Sequence, residues 1–307
     1  MTLADQELII FDGACGTNLQ QMQIPDEVWA GCEGCNEILN LTAPEFIVAL
    51  HQSMYEAGAM VVETDTFGGS SVVLAEYGLQ DKVKEINRCA VENARNAAGG
   101  KPGRYVAGSI GPGTKLPSLG HIEVADLASS TREQAEALLE AGVDCLIVET
   151  CQDLLQTKTA LVSVFDVLDA AKLELPVMAS VTIEQQGTML VGSDIAAVLA
   201  TLEPYPLFSL GLNCATGPQD MRSHIHYLSL HWPQRISCIP NQGLPEVVHG
   251  QTVYPMTPEE FSEQMSLFVT TQGVSIVGGC CGTSPAHIKA LVDKLTGIKP
   301  LQREVSR

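Results

Sequence analysis

Three cysteines in the second half of the chain have the type and the positions needed to hold a metal ion. Cys280 and Cys281 are adjacent in the run GGCCG, and Cys214 follows the apolar run LFSLGLN. Three thiolates favour zinc over magnesium or calcium, and a structural zinc site normally has four protein ligands. A fourth position would therefore remain for a substrate. A thiol bound there would lose its proton and stay nucleophilic, which predicts attack by sulfur on an electrophilic carbon rather than hydrolysis.

Two other interpretations of the adjacent pair stay open at this point. Cys280 and Cys281 could form a redox-active disulfide, or they could be two small residues in a glycine-rich turn. Adjacent side chains in extended backbone point apart, so both reach one metal only if the chain turns there. Gly278, Gly279 and Gly282 permit such a turn.

The chain contains eight short apolar runs rich in Val and Ile, each long enough for one buried strand. The runs cover residues 8–13, 60–67, 104–112, 145–151, 175–183, 207–215, 236–245 and 274–282. Their starts are 29 to 52 residues apart, which leaves room for a helix in each interval. Eight strand-then-helix units predict a (β/α)8 TIM barrel. We expect one domain over residues 1–307, with a polar C-terminal tail from about residue 297.

An open, doubly wound α/β sheet is the main alternative, but no predicted strand is followed by the glycine fingerprint of a dinucleotide-binding turn. Two intervals carry clear helical signals. The spacing of apolar residues from Val83 to Ala94 predicts one helix. A capping box at Ser130 and Glu133 predicts the start of another, and Gly142 its end.

Polar residues stand at the ends of several predicted strands. They include Asp12, Glu63 to Thr66, Glu149, Asn213, Cys214, Asn241, Cys280 and Cys281. In a TIM barrel the carboxyl ends of the strands surround one mouth, where the chemistry is expected. Cys214 ends a strand two places away from the strand that carries Cys280 and Cys281, close enough to supply a third thiolate. The pattern therefore predicts a zinc site at the barrel mouth.

The other seven cysteines are assigned to packing. Cys32 and Cys35 form a CxxC motif with no second motif to complete a metal site, so loop or surface packing is predicted. Cys15 and Cys151 lie near the predicted mouth and are interpreted as small packing residues. Core packing is predicted for Cys89, Cys145 and Cys238.

Composition excludes several classes of function. A formal net charge of −19 disfavours nucleic acid and anionic membranes as partners. No apolar run approaches the roughly 18 residues of a spanning helix, and the first residues lack the pattern of a secretion signal. A cytoplasmic location is therefore expected, and the ten cysteines are interpreted as metal-binding, catalytic or packing thiols rather than disulfides.

Five segments resemble the homocysteine S-methyltransferase family. They are DGACGTNLQ, ETDTF, Asn213-Cys214, PNQGLP and GGCCGTSPAHI, and together they span nearly the whole chain. GGCCGT and NxGLP look most like the homocysteine-binding module of cobalamin-dependent methionine synthase. Relatives that use S-methylmethionine carry arginine where this chain has Gly282. The chain departs from the family at Asp65, commonly asparagine in relatives, and at Cys15, commonly methionine.

The resemblance implies a (β/α)8 barrel in which Cys214, Cys280 and Cys281 hold zinc. It also implies roles in substrate binding for Asp12, Gly13, Thr66, Ser109, Glu149 and Asn241. The carboxylates of Asp12 and Glu149 would bind the amino group of the substrate, and Asn241 would lie beside the metal.

The implied reaction is transfer of a methyl group to the zinc-bound thiolate of homocysteine, giving methionine. The folate, cobalamin and reactivation modules of a complete synthase do not fit in 307 residues. Methylcobalamin is therefore expected on a separate module or corrinoid protein that docks over the mouth, whether the chain is a fragment or a separate subunit. The alternatives are a donor such as S-methylmethionine or a betaine-like compound and, from another class, a zinc or redox thiol protein.

Overall fold

A computed structural model describes residues 2–244, 246–248 and 251–305 of the chain. Its strands are β1 Ile9–Ile10, β2 Val61–Glu63, β3 Tyr105–Ile110, β4 Cys145–Cys151, β5 Val177–Val181, β6 Ser209–Asn213, β7 Arg235–Ile239, β8 Glu246–Val248, β9 Gln251–Val253 and β10 Ile276–Val277. Eight of these strands form one parallel sheet, and β8 and β9 form a separate antiparallel hairpin. Each of the eight predicted apolar runs coincides with one strand of the parallel sheet, although β7 begins one residue before its run, at Arg235.

Helices fill the intervals between the strands of the sheet. The α-helices are α1 Gly16–Leu19, α2 Leu39–Thr42, α3 Pro44–Ala57, α4 Ser71–Leu74, α5 Val83–Ala98, α6 Val124–Ala141, α7 Leu154–Ala171, α8 Ile195–Leu202, α9 Pro218–His231, α10 Pro258–Gln272 and α11 Pro285–Leu295. Short 3-10 helices cover Leu3–Asp5, Asp26–Trp29, Asn36–Ile38, Ala75–Tyr77, Gln80–Lys82 and Pro117–Leu119. Among these helices, none combines the length and the apolar character needed to cross a bilayer.

The sheet closes on itself. Its strands pair in the order β1, β10, β7, β6, β5, β4, β3 and β2, and an isolated parallel bridge between Phe11 and Val61 joins the first strand to the last. The amide of Met60 also donates to the carbonyl of Ile10, at 2.8 Å. The predicted (β/α)8 TIM barrel is therefore confirmed.

Side chains of the strands alternate between two apolar cores. Val62 faces the larger core between the sheet and the helices, whereas Val61 faces a smaller core inside the barrel. The buried members of the inner core are Leu3, Ile9, Phe11, Val61, Tyr105, Ala107, Cys145, Ile147, Met178, Ile239 and Ile276. Two residues further along their strands, the same alternation directs Glu63, Ser109 and Glu149 toward the barrel axis, above this core.

The helix that closes at Gly142 begins earlier than its capping signal predicts. α6 starts at Val124, so Ser130 lies within the helix and the predicted start was wrong. The Ser130 hydroxyl is instead buried, where it accepts hydrogen bonds from the Ser71 hydroxyl and the Val72 amide. The spacing of Ser130 and Glu133 matches a capping box, but the sequence does not reveal that Ser130 has partners in another part of the fold. The predicted helix from Val83 is confirmed as α5.

The segment expected to be a polar tail contacts the barrel over its described part. The amide of Leu301 donates to the carbonyl of Val269, at 3.0 Å. The guanidinium of Arg303 donates to the carbonyl of Trp232, at 2.7 Å. Both contacts lie at the end of the barrel remote from the cysteines.

A glycine substitution tests the packing of β6 against β7. A β-carbon at Gly211 would lie 2.0 Å from the carbonyl oxygen of Ser237, whereas a β-carbon at Gly108 would lie 2.8 Å from a methyl group of Leu146. We expect Gly211→Ala to lower the free energy of unfolding by more than about 3 kcal/mol, because backbone must move. Gly108→Ala should cost about 1–3 kcal/mol, because side chains can shift. Denaturant unfolding measures both, and equal losses would contradict the described contact.

Candidate metal and substrate site

Three thiols converge at the mouth of the barrel. Cys214 follows β6, and Cys280 and Cys281 follow β10, with β7 between these two strands. The sulfur of Cys281 lies 3.9 Å from that of Cys214 and 4.0 Å from that of Cys280. No disulfide joins these cysteines, because bonded sulfurs lie about 2.05 Å apart. Sulfurs bound tetrahedrally to one zinc at about 2.3 Å would lie about 3.8 Å apart, so the spacing suits zinc.

The end of β7 positions both thiol-bearing segments. The amide of Cys214 donates to the carbonyl of Ile239, and the amide of Cys280 donates to the carbonyl of Pro240. The amide of Cys281 donates to the side-chain oxygen of Asn241, at 3.1 Å. Three consecutive residues of one strand end therefore hold the three cysteines in place.

Backbone strain accompanies the turn at Cys214. Cys214 and Ala215 have φ angles of 60° and 55°, in the left-handed region that costs a residue with a side chain roughly 1–3 kcal/mol. Such strain is typical of functional sites, where the surrounding structure enforces it. Here it follows from the hydrogen bond that ties the Cys214 amide to β7.

The glycines around the cysteine pair act in two different ways. Gly282, with a φ of 81°, supplies the left-handed turn that was predicted. Gly278 and Gly279 instead allow close approach. A β-carbon at Gly278 would lie 2.7 Å from the Phe11 β-carbon, and one at Gly279 would lie 2.4 Å from the Thr283 hydroxyl.

The three thiols share negative charge unequally. Hydrogen bonds with Cys214 and Cys280 lower the pKa of Cys281 to about 3. Hydrogen bonds with Cys214 and Cys281, together with burial, raise the pKa of Cys280 well above its usual value. For Cys214, the hydrogen bond with Cys280 lowers the pKa, whereas the hydrogen bond with Cys281 and burial raise it. The raising effects are larger together, and the pKa of Cys214 rises to about 12. One thiolate is thus stabilised by two thiol donors, and ionising all three requires a cation.

Tyr254, which the sequence analysis did not single out, contacts the same thiolate. The pKa of the Cys281 thiol, which Cys214 and Cys280 lower most, is lowered further by the nearby hydroxyl of Tyr254. Its ring occupies the space above Gly282, where a β-carbon would lie 2.5 Å from the ring. Tyr254 follows the β8–β9 hairpin, and its distance in sequence from the cysteines gave no signal of this contact.

The carboxyl groups of Asp12, Glu63 and Glu149 line the same cavity as the thiols. Glu149 accepts hydrogen bonds from the Ser109 hydroxyl at 2.6 Å and from the Asn213 amide at 3.1 Å. Asp12 accepts from the backbone amide of Glu63, at 3.1 Å. Burial is the main cause that raises the pKa of all three carboxyl groups. Their charges also repel one another, so the cluster favours a positively charged ligand.

These groups line one cavity of about 430 Å³. It is lined by the three thiols, by the carboxylates of Asp12, Glu37, Glu63, Asp65 and Glu149, and by Gly13, Ser109 and neutral neighbours. No lysine, arginine or histidine occurs among its described lining residues. The cavity can therefore hold a ligand that carries both a thiol and a cationic group.

Two predicted substrate contacts lie outside this lining. Thr66 is fully buried, and its hydroxyl donates to the carbonyl of Ser109, at 2.7 Å. Asn241 is also buried, and its side-chain oxygen accepts from the Cys281 amide. Both residues contact groups of the site rather than the open cavity. Among the predicted residues, Asp12, Gly13, Ser109, Glu149 and the three cysteines reach the cavity wall.

The remaining cysteines stand apart from the thiol triangle. Cys32 and Cys35 are buried in the outer core, as loop packing predicts, and Cys35 donates to Glu37, at 3.5 Å. Cys15 lines the cavity and donates to Asp65, at 3.4 Å. Cys151, Cys145 and Cys238 are buried, and Cys89 is partly exposed.

Comparisons with known proteins agree with this geometry. The model of the homocysteine S-methyltransferase family matches residues 9–295. The methionine synthase of Mycobacterium tuberculosis (strain ATCC 25618 / H37Rv) is 43% identical over 310 residues, which cover 100% of this chain and 26% of that protein. That of Mycobacterium leprae (strain TN) is 44% identical over 292 residues, which cover 94% of this chain and 24% of that protein. The chain thus spans about a quarter of the length of these curated relatives.

Solved structures show the same fold. The homocysteine methyltransferase MmuM from Escherichia coli in its oxidized form is 25% identical, with a TM-score of 0.72 over 95% of this chain and 97% of that chain. Its metallated form is 24% identical, with a TM-score of 0.73 over 95% and 98% of the two chains.

The buried carboxyl of Asp65 makes a prediction about stability and pH. Burial, followed by repulsion from Glu37, raises the pKa of Asp65 to about 8. A raised pKa in the folded state means that stability falls as pH rises from about 4 to about 8, by at most about 1.4 kcal/mol per pH unit. Asp65→Asn removes this penalty, so its free energy of unfolding relative to the original protein should increase over that range.

Urea unfolding at several pH values measures the difference. Asp169→Asn is a matched control, because Asp169 is exposed on α7. A difference between Asp65→Asn and the original protein that stays constant from pH 5 to pH 8 would show that Asp65 is already ionised.

Proposed function

The chain belongs to the homocysteine S-methyltransferase family, and we propose that Cys214, Cys280 and Cys281 hold a zinc ion at which homocysteine is methylated to methionine. The observation that carries the proposal is the triangle of free thiols beside an acidic cavity. Three thiolates are ligands that zinc prefers, and they leave one position open. Zinc bound there would keep a fourth thiol ionised at neutral pH while its sulfur stays nucleophilic.

Asp12 and Glu149 bind the amino group of homocysteine in this proposal. Both carboxylates line the cavity that the thiols enter. Ser109 and Asn213 fix the orientation of Glu149 through their hydrogen bonds. An ammonium group would supply the positive charge that the wall of the cavity lacks, and buried charges are stable only when they are compensated.

The other proposed residues shape and support the site. Gly13 lines the cavity beside Asp12 and packs closely against Thr283, since a β-carbon at position 13 would lie 2.9 Å from the Thr283 carbonyl oxygen. Thr66 supports the Ser109 carbonyl, and Asn241 holds the Cys281 amide beside the metal position. These contacts would fix the angle at which the substrate sulfur faces the mouth.

The methyl donor is proposed to be methylcobalamin, carried by a corrinoid protein or module outside this chain. The two methionine synthases that resemble the chain extend far beyond the matched region. Gly282 and the ring of Tyr254 also occupy the position after the cysteine pair, where relatives that use S-methylmethionine carry arginine. The corrinoid would dock over the mouth, because the substrate sulfur is reached from that side.

X-ray absorption at the zinc edge tests the acceptor half of the reaction. The purified protein should hold about one zinc with three sulfur neighbours, and homocysteine should raise that number to four. Cys214→Ser should lose sulfur coordination and most of the bound zinc. Cys32→Ser should keep both, because Cys32 lies outside the thiol triangle. An unchanged sulfur count on adding homocysteine, or no zinc at all, would refute the proposed chemistry.

Donor specificity is tested by incubating the zinc-loaded protein and homocysteine with one methyl compound at a time. We expect methionine to form with methylcobalamin, as the cobalt–carbon bond breaks and cob(I)alamin appears in the absorption spectrum. S-methylmethionine and betaine should give no product. Cys214→Ser should lower the rate of methionine formation at least about 100-fold, since activation of the nucleophile is lost. Methionine formed from S-methylmethionine would overturn the donor assignment and leave the acceptor assignment standing.

A further inference from the structure

We propose that Glu63 binds the ammonium group of homocysteine together with Asp12 and Glu149, and that it makes the site select an amino acid over a simple thiol. The inference rests on the proposed function and adds a third carboxylate to its amino-group site. The sequence predicts that Glu63 lies at the barrel mouth but predicts no role for it.

The fold puts Glu63 between the other two carboxyl groups. Glu63 is the last residue of β2 and faces the barrel axis, on the same side of the strand as Val61. Its backbone amide donates to the carboxylate of Asp12, which follows β1. Its carboxyl group lies close enough to Glu149 for a hydrogen bond through a shared proton. All three carboxyl groups line the cavity.

Glu63 differs from the neighbouring carboxyl groups in its hydrogen bonds. Glu149 accepts hydrogen bonds from the side chains of Ser109, Thr150 and Asn213. Asp12 accepts from a backbone amide. The Oε1 atom of Glu63 is buried without a hydrogen-bond partner among the described residues. Leaving a buried acceptor unpaired costs about 1–3 kcal/mol. Because this oxygen belongs to a residue that lines the cavity, an ammonium ligand would supply the donor that it lacks.

The charged side chains around the cavity indicate which class of ligand would bind there. The described wall of the cavity carries five carboxyl groups and no basic side chain. Burial and the charges of Glu149 and Asp12 raise the pKa of Glu63, and a nearby cation would favour its ionised form. A primary ammonium group has three N–H donors, one for each of the three carboxyl groups. With zinc on the neighbouring thiols, as proposed above, the same ligand would also carry a thiol.

The test compares two thiols that differ only in the amino group. L-homocysteine and 4-mercaptobutanoate are titrated into the zinc-loaded protein, and dissociation constants are measured by calorimetry. Glu63→Gln should weaken homocysteine about 10- to 100-fold, the range expected for loss of a hydrogen bond to a charged group. Binding of 4-mercaptobutanoate should stay within about twofold, because it has no group for Glu63 to bind.

Two variants make the comparison specific. Glu37→Gln removes a carboxylate from the same cavity, but one that already accepts from the Gly68 amide and Cys35. It should not change the preference for homocysteine. Glu63→Asp keeps the charge but withdraws it by one methylene, and it should give a smaller loss for homocysteine than Glu63→Gln. It also serves if Glu63→Gln folds poorly.

Other outcomes have distinct meanings. Equal weakening of both thiols by Glu63→Gln would show that Glu63 only shapes the cavity, and no change in either would show that it only shares a proton with Glu149. Each result overturns the inference while leaving the zinc chemistry intact. If the original protein binds neither thiol, the proposed function itself fails.

Discussion

The hydrogen bonds at the end of β7 are the constraint on which the site depends. Cys214 lies 66 residues before Cys280 in the sequence, and only the pairing of β6 and β10 on either side of β7 brings their sulfurs together. Ile239, Pro240 and Asn241 then hold the backbone of all three cysteines. Pairing of β1 with β10 places the Asp12 carboxylate on the same side of the barrel as Cys280 and Cys281, and the bridge at Phe11 brings it beside Glu63 of β2. The chemistry thus follows from strand order.

The cavity combines two clusters that are each unfavourable without a positive charge. Three thiols within 4.8 Å of one another cannot all ionise without a cation. The carboxyl groups of Asp12, Glu63 and Glu149 lose their hydration on burial and repel one another. Because basic side chains are missing from the described wall, the compensating charges must come from outside the chain. A metal ion and an amino group would supply them at adjacent positions.

The sequence predicted the barrel and the thiols well, because apolar runs report burial and strand ends report the mouth. It predicted boundaries less well. Residues 8–13 contain a strand of only two residues, and Ser130 lies within a helix. Thr66 was expected to line the mouth but is buried outside the cavity wall, where its hydroxyl donates to the Ser109 carbonyl, a partner that the sequence does not reveal. The sequence predicted no role for Glu63 or Tyr254. The unpaired oxygen of Glu63 and the contact of Tyr254 with Cys281 are visible only in the folded structure.

Gly282 and Tyr254 have a consequence for how such sites diversify in evolution. The ring of Tyr254 fills the space that any side chain at position 282 would need, and the left-handed φ angle there also favours glycine. Position 282 therefore cannot take a side chain while the Tyr254 ring stays in place, whereas a smaller residue at position 254 would meet no such barrier. Chains that acquire a long side chain after the cysteine pair must also remodel the segment that follows β9. A gene that changed position 282 first would pass through a damaged intermediate, so the change at position 254 should come first or together with it.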